Sequence, residues 1–275
     1  MRVALISQIP QAVEGYTNGL RALGHEPVGL LTLPALRRYD VEPWAQVEAA
    51  KEAGMDVVMP ASRDRVAPLL RTLAPDIVLC AGFPWKIPPD ALAVPPLGVV
   101  NFHPSMLPRY RGPTPVAWAI RNGETEIGVT LHRMAPDLDA GPILAQAPLA
   151  LGDEWSWDEL GPRIAAVVAE ILPVALERAE RGDPGDPQDE SAAEYQSFFD
   201  PGYAEIDWGQ RGEEIVRQVR AWRFGFVPEG EQGAVTELDG RRVRVLKAAV
   251  GGSEGFEVGC GDGTVRILET ETLSL

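Results

Sequence analysis

Apolar runs of strand length alternate with segments of helical period along the first half of the chain, and that alternation limits the fold more than any single residue does. The run from Arg2 to Ser7 is followed by Val13, Tyr16, Leu20 and Leu23 at helical spacing, until Gly24 stops the period. Further runs lie near Pro27 to Thr32, Asp56 to Met59, Asp76 to Ala81 and Gly98 to His103, with helical segments near Val41 to Ala53 and Arg63 to Leu73 between them. Strands apolar on both faces and separated by helices predict a Rossmann-like α/β architecture, a doubly wound, mostly parallel sheet covered on both sides. Ile127 to Met134 and Ile143 to Leu149 add strands, and Asp158 to Arg181 reads as a long helix ending at Gly182.

From Gly182 to Gly202 the composition turns to Asp, Pro, Gly, Glu and Ser with no apolar period, so 183–202 is expected to be a linker after a domain spanning 1–182. Beyond it, 203–275 is expected to form a small β-rich C-terminal domain with one amphipathic helix from Gly212 to Trp222. Asp239-Gly240 and Gly261-Asp262-Gly263 each sit between alternating segments, and such residues tolerate the positive φ of a tight hairpin.

The 275 residues carry 25 Lys and Arg against 40 Asp and Glu, a formal charge of −15. Phosphate backbones are repelled by such a chain on average, so nucleic acid starts as a disfavoured partner. No apolar run reaches membrane-helix length, and the first residues lack a positive leader, so no membrane and a cytoplasmic location are expected. Cys80 and Cys260 are the only cysteines, which excludes a disulfide framework and a paired-cysteine zinc site; no metal is expected.

The first strand ends in Ser7-Gln8-Ile9-Pro10, without the glycines of a dinucleotide or triphosphate cradle. Chemistry is expected elsewhere, at Gly98-Val99-Val100-Asn101-Phe102-His103-Pro104. On a strand, Asn101 and His103 share one face at its C-terminal end, while Phe102 points into the other layer. An amide and an imidazole are thus presented together where open α/β sheets bind ligands.

Ser105-Met106-Leu107-Pro108-Arg109-Tyr110-Arg111-Gly112 follows directly, and Leu138-Asp139-Ala140-Gly141 comes later. In these motifs the chain resembles the folate-dependent formyltransferases, among them the methionyl-tRNA, glycinamide ribonucleotide and amino-sugar N-formyltransferases. The resemblance is dense from about Asp76 to Leu149 and resumes at Ile206-Asp207-Trp208 and Ile215 to Ala221. It implies Asn101, His103 and Asp139 as the catalytic trio, and N10-formyltetrahydrofolate as cosubstrate. Formyl transfer to an amine develops an oxyanion on a tetrahedral carbon, which needs a fixed donor such as the Asn101 amide. His103 can donate or relay a proton, and Asp139 can orient the imidazole and help deprotonate the amine. Which of the two takes the proton is open at this stage.

The resemblance also implies a pterin pocket lined by Phe83, Trp85, Lys86 and Ile87 together with Leu138 and Asp139. It implies an acceptor loop of Met106, Arg109, Tyr110, Arg111 and Gly112, the two arginines being available for a phosphate or carboxylate. His132 is expected to serve packing on its strand, and His25 to lie on the surface. The expected reaction is formylation of a small amine, an amino sugar or amino-acid derivative, with methionyl-tRNA as the alternative acceptor. The tRNA enzymes carry a basic insertion after the second strand; here Leu31 to Val47 is short, with only Arg37 and Arg38 as cations. From Pro201 to Leu275 there are nine Lys and Arg against thirteen Asp and Glu, which also argues for a small acceptor. Hydrolysis of formyltetrahydrofolate and non-catalytic folate binding rank lower, the latter because all three catalytic residues are present. A homodimer is compatible with the sequence.

Overall fold

The computed structural model describes residues 1–34 and 42–273. Arg37, Arg38 and the expected helix start at Val41 lie outside these residues. Contacts divide the chain into two units, one of 1–111, 128–149 and 162–194, the other of 112–127, 150–161 and 195–275.

The first unit is built on strands β1 (Arg2–Ser7), β2 (Glu26–Leu31), β3 (Asp56–Val58), β4 (Ile77–Ala81), β5 (Val99–His103), β6 (Glu126–Arg133) and β7 (Ile143–Ala150), the last two reaching into the ranges of the second unit at one end. They form one sheet in the order β3-β2-β1-β4-β5-β6-β7. The first five are mutually parallel, and β6 runs antiparallel to β5. Ile77 to Ala81 are all buried, as a central strand covered on both faces requires. Helices α1 (Pro10–Ala22), α2 (Ala45–Glu52), α3 (Val66–Leu73), α4 (Pro89–Leu92) and most of α6 (Trp157–Glu180) belong to this unit, where Val66, Leu70 and Leu73 of α3 join Ala4, Ile6 and Val78 in one core cluster. The expected Rossmann-like, mostly parallel architecture is what the chain adopts.

The stretch expected as a linker behaves differently in its first twelve residues, which belong to the first unit. Arg178, in the last turn of α6, binds both the Asp183 and Asp186 carboxylates, at 2.7 and 2.8 Å. Asp186 and Ile143 exchange two backbone hydrogen bonds at the start of β7. The segment lacks an apolar period because it is held by backbone and ion-pair contacts, which leave no hydrophobic signature.

In the second unit β8 (Ala234–Leu238), β9 (Arg241–Val250), β10 (Phe256–Cys260) and β11 (Gly263–Thr272) form an antiparallel sheet in the order β10-β11-β9-β8. The β8/β9 turn uses Asp239 and Gly240 at φ +50° and +72°, as the hairpin signal predicts. Helix α7 (Gly212–Phe224) buries Ile215, Val219 and Trp222, and α5 (Pro115–Arg121) adds Trp118, which meets Phe199 edge to face at 5.2 Å between ring centres. Among the described residues no helix is long and apolar enough to cross a membrane.

Candidate active site

The site grows from the antiparallel ladder between β5 and β6. Its register pairs Asn101 with His132 and His103 with Thr130, so these four side chains share one face of the sheet. His132 Nδ1 lies 3.0 Å from the Arg133 carbonyl oxygen, which only accepts, so that nitrogen carries the proton. Its Nε2 is then an acceptor for the Asn101 Nδ2–H at 3.1 Å. Burial pushes the His132 imidazole down to about 4, against the opposing pull of Asp139, which keeps the ring neutral and the Asn101 bond in this direction. One hydrogen of the Asn101 amide is thereby committed to His132.

On the next pair up the ladder, His103 is almost fully buried and donates from Nε2 to the Tyr110 carbonyl oxygen at 2.9 Å. Its Nδ1 faces Asp139 Oδ2 at 3.7 Å, and in the neutral ring that nitrogen carries the lone pair. The other carboxylate oxygen of Asp139 lies 3.7 Å from His132 Nε2. Asp139 adopts φ +53°, a left-handed conformation uncommon for a residue with a side chain, which turns its carboxylate back over the ladder. Gly141, two residues on, must be glycine: a Cβ there would run into the Arg133 carbonyl. The three residues expected as a trio are thus together, and His132, expected to serve packing, joins them. The signal for it was in the sequence as the alternation on β6, but only the register shows which residue it faces.

The loop from Ser105 to Arg111 closes one side. Ser105 Oγ donates to the Arg109 carbonyl at 2.8 Å, Thr130 Oγ1 to the Ser105 carbonyl at 2.7 Å, and Gln146 Nε2 to the Leu107 carbonyl at 2.9 Å. Arg109 is exposed and Met106 half-buried, whereas Tyr110 and Gly112 are buried. The expectation that Arg111 offers its guanidinium to an acceptor is corrected: the residue is buried, and its nitrogens bind the Glu190 carboxylate at 2.7 Å and Gln188 Oε1 at 2.8 Å.

The loop after β4 starts two residues beyond Cys80, which is in register with Asn101. There Phe83 and Trp85 are half-buried and meet edge to face at 5.9 Å, and Lys86 is exposed. Ile87 differs from expectation, since it lies in the core cluster beside Val66, Leu70 and Cys80. Leu138 is exposed on the loop that carries Asp139. Among the described residues no group of three or more His, Cys, Asp or Glu is placed to hold a metal ion.

Two family models match this chain, Formyl transferase over residues 40–176 and Formyl transferase, C-terminal domain over 200–273. Methionyl-tRNA formyltransferase of Methylococcus capsulatus is 34% identical over 92% of the chain and 87% of its own length. The chain belongs to the formyl transferase family. A second member, methionyl-tRNA formyltransferase of Chloroflexus aurantiacus, is 36% identical over 94% of the chain and 83% of its own length. Among solved structures, HypX from Aquifex aeolicus in complex with tetrahydrofolic acid superposes on the whole chain with a TM-score of 0.71 at 21% identity; the chain spans 44% of that protein. This likeness is one of fold, and it agrees with a formyltransferase sheet followed by a small antiparallel one.

Proposed function

We propose that this formyltransferase carries the formyl group of N10-formyltetrahydrofolate to the α-amino group of methionyl-tRNA, with Asn101, His103 and Asp139 as its catalytic residues. One observation supports the acceptor: relatives named methionyl-tRNA formyltransferases align with 92% and 94% of the chain, so the likeness runs through the C-terminal unit as well as the sheet. This reverses the order expected from charge alone.

The residues fit the folate. Phe83 and Trp85 offer apolar ring faces beside the Asn101 end of the sheet, and Lys86 and Leu138 are exposed on the flanking loops. The bound cosubstrate supplies the formyl carbon at the oxidation level the product needs. Asn101, its amide plane fixed by His132, directs its remaining N–H at the formyl oxygen where negative charge develops. With His103 neutral, its Nδ1 and the Asp139 carboxylate are two acceptors 3.7 Å apart, so the proton leaving the attacking amine is received by the pair. As the oxyanion re-forms the carbonyl and the formyl C–N10 bond breaks, the pair passes that proton to N10, which departs as tetrahydrofolate. No charge has to be created in water, because both groups are buried before the amine arrives.

A small amine is kept as a second reading on one specific observation. In the C-terminal unit Arg211, Arg220, Arg242, Arg244 and Arg266 are each ion-paired with an acid of the same unit, which leaves few guanidinium groups for phosphates. The test is incubation of the purified chain with formyl-labelled N10-formyltetrahydrofolate and methionyl-tRNA at about 0.15 M salt, followed by mass analysis of the released aminoacyl group. A gain of one formyl group on methionine is expected. Its absence, with formylation of amino sugars or amino acids in parallel arms, would replace the first reading by the second.

A further inference from the structure

The segment 183–194, polar and without period, sends one side chain into the loop that carries Asp139. Gln188 Nε2 donates to the carbonyl oxygens of Asp139 and Gly141, both at 2.7 Å, and its Oε1 accepts from Arg111 Nε and Nη2 at 3.1 and 2.8 Å. Both donors and the acceptor of the carboxamide are in use, in an orientation fixed by its partners, because carbonyls only accept and a guanidinium only donates. Arg111 follows Tyr110 in the chain, and the Tyr110 carbonyl is the acceptor for His103 Nε2. The links therefore close on themselves. They run from the Asp139 backbone through Gln188, Arg111, the Tyr110 carbonyl and His103 back to the Asp139 carboxylate, 3.7 Å from His103 Nδ1.

We infer that Gln188 is a positioning residue of the active site, whose carboxamide holds the left-handed turn at Asp139 and sets the gap between Asp139 and His103. A left-handed Asp persists only where its surroundings impose it, and the two Gln188 bonds grip the backbone on both sides of that turn. Arg111 holds the other end, anchored independently by Glu190, so the tether is stiff from both sides. This role rests on the reading of His103 and Asp139 as the proton-accepting pair.

The variant that isolates it is Gln188→Glu, which keeps the length and the acceptor for Arg111 but turns both donors towards the two carbonyls into acceptors. Gln188→Ala, which cannot oppose the carbonyls, covers the case in which the first variant fails to fold. Two readouts are needed, one of them independent of turnover. In the formyl-transfer assay each variant is expected to lower kcat by about 10- to 100-fold, the scale of a sub-ångström to ångström displacement of a reacting group, with the KM for N10-formyltetrahydrofolate within about threefold. In NMR of the ¹³C-histidine-labelled enzyme, the His103 titration midpoint is expected to fall in Gln188→Ala, which adds no charge of its own, as the Asp139 charge moves away. The other charged or titratable groups around the pair are His132 on β6, which interacts with both His103 and Arg111, and, near Asp139, the neutral Cys80 thiol on β4, whose burial pushes it up to about 12. Arg111 keeps its Glu190 partner in Gln188→Ala, and His25, at the far end of β2 from the site, serves as the internal reference in the same spectra. Wild-type kcat with an unmoved His103 midpoint overturns the inference, and so does lost activity with an unmoved midpoint, which marks a merely structural contact. If the wild-type enzyme transfers formyl to no amine, the proposed reaction fails on its own, while the His103 midpoint still decides the role of Gln188.

Discussion

Asn101 Nδ2 and His132 Nε2 meet at 3.1 Å across the β5/β6 ladder, and the direction of that bond is dictated from the far side of the imidazole by the Arg133 carbonyl. A neutral histidine is being used as an oriented acceptor. It follows that removing either partner has different costs. Asn101→Ala is expected to lower kcat by about 10²-fold or more, the usual scale for an oxyanion donor. His132→Leu leaves the amide in place but free to turn, and should cost less in kcat than Asn101→Ala. Steady-state kinetics on both variants checks this; a His132→Leu enzyme as fast as wild type would show that the amide needs no support.

Acid should destabilise the fold through the same histidine. In the folded chain His132 titrates at about 4, below its ordinary value of 6.5, because of burial. Between those values the unfolded chain binds more protons than the folded one, so stability is complete above the upper value and is lost as pH falls towards the lower. Urea unfolding at about pH 7.5 and about pH 5 is expected to show a larger loss for wild type than for His132→Gln. Equal losses would mean that another group carries the acid sensitivity.

Asp139→Asn preserves shape and the left-handed tendency while removing the charge. Turnover is expected to drop by about 10²-fold or more, as for loss of a general base, with folding intact by circular dichroism. Near-wild-type turnover would remove Asp139 from the proton-accepting pair.

Two glycines set how closely backbones approach around the site. A Cβ on Gly128 would strike the Met106 backbone, and one on Gly141 the Arg133 carbonyl. Neither obstacle is a flexible side-chain end, so Gly128→Ala and Gly141→Ala are each expected to destabilise by about 1–3 kcal/mol or more. Thermal unfolding measures this, and Gly152→Ala is the control, since its added Cβ meets only the Glu154 side chain.

The sheet was legible because its central strands are apolar on both faces, as in Ile77 to Ala81, and its helices stop at glycines such as Gly24. Asn101 and His103 could be placed together from strand period alone. The family motifs then pointed to Asp139. What the sequence concealed is contact between distant polar residues. Nothing local distinguishes Gln188, Glu190 or Asp186 from solvated linker residues, since their partners lie in Arg111, Asp139 and Ile143. Arg111 looked available for the same reason, its ion-pair partner being far away in the chain. His132 required knowing that β6 is antiparallel to β5 and which residues it pairs with, and apolar patterning carries neither fact.

That antiparallel pairing also bears on how this protein can change over generations. Asn101, His103, Thr130 and His132 come from two strands whose alignment alone makes them neighbours, and side chains alternate with period two. A single inserted or deleted codon within β5 or β6 would turn half of the set away from the ligand while leaving every residue type present. Lineages descended from this chain should therefore accumulate length variation in the stretch between the two strands and almost none inside them, even where the residues themselves drift.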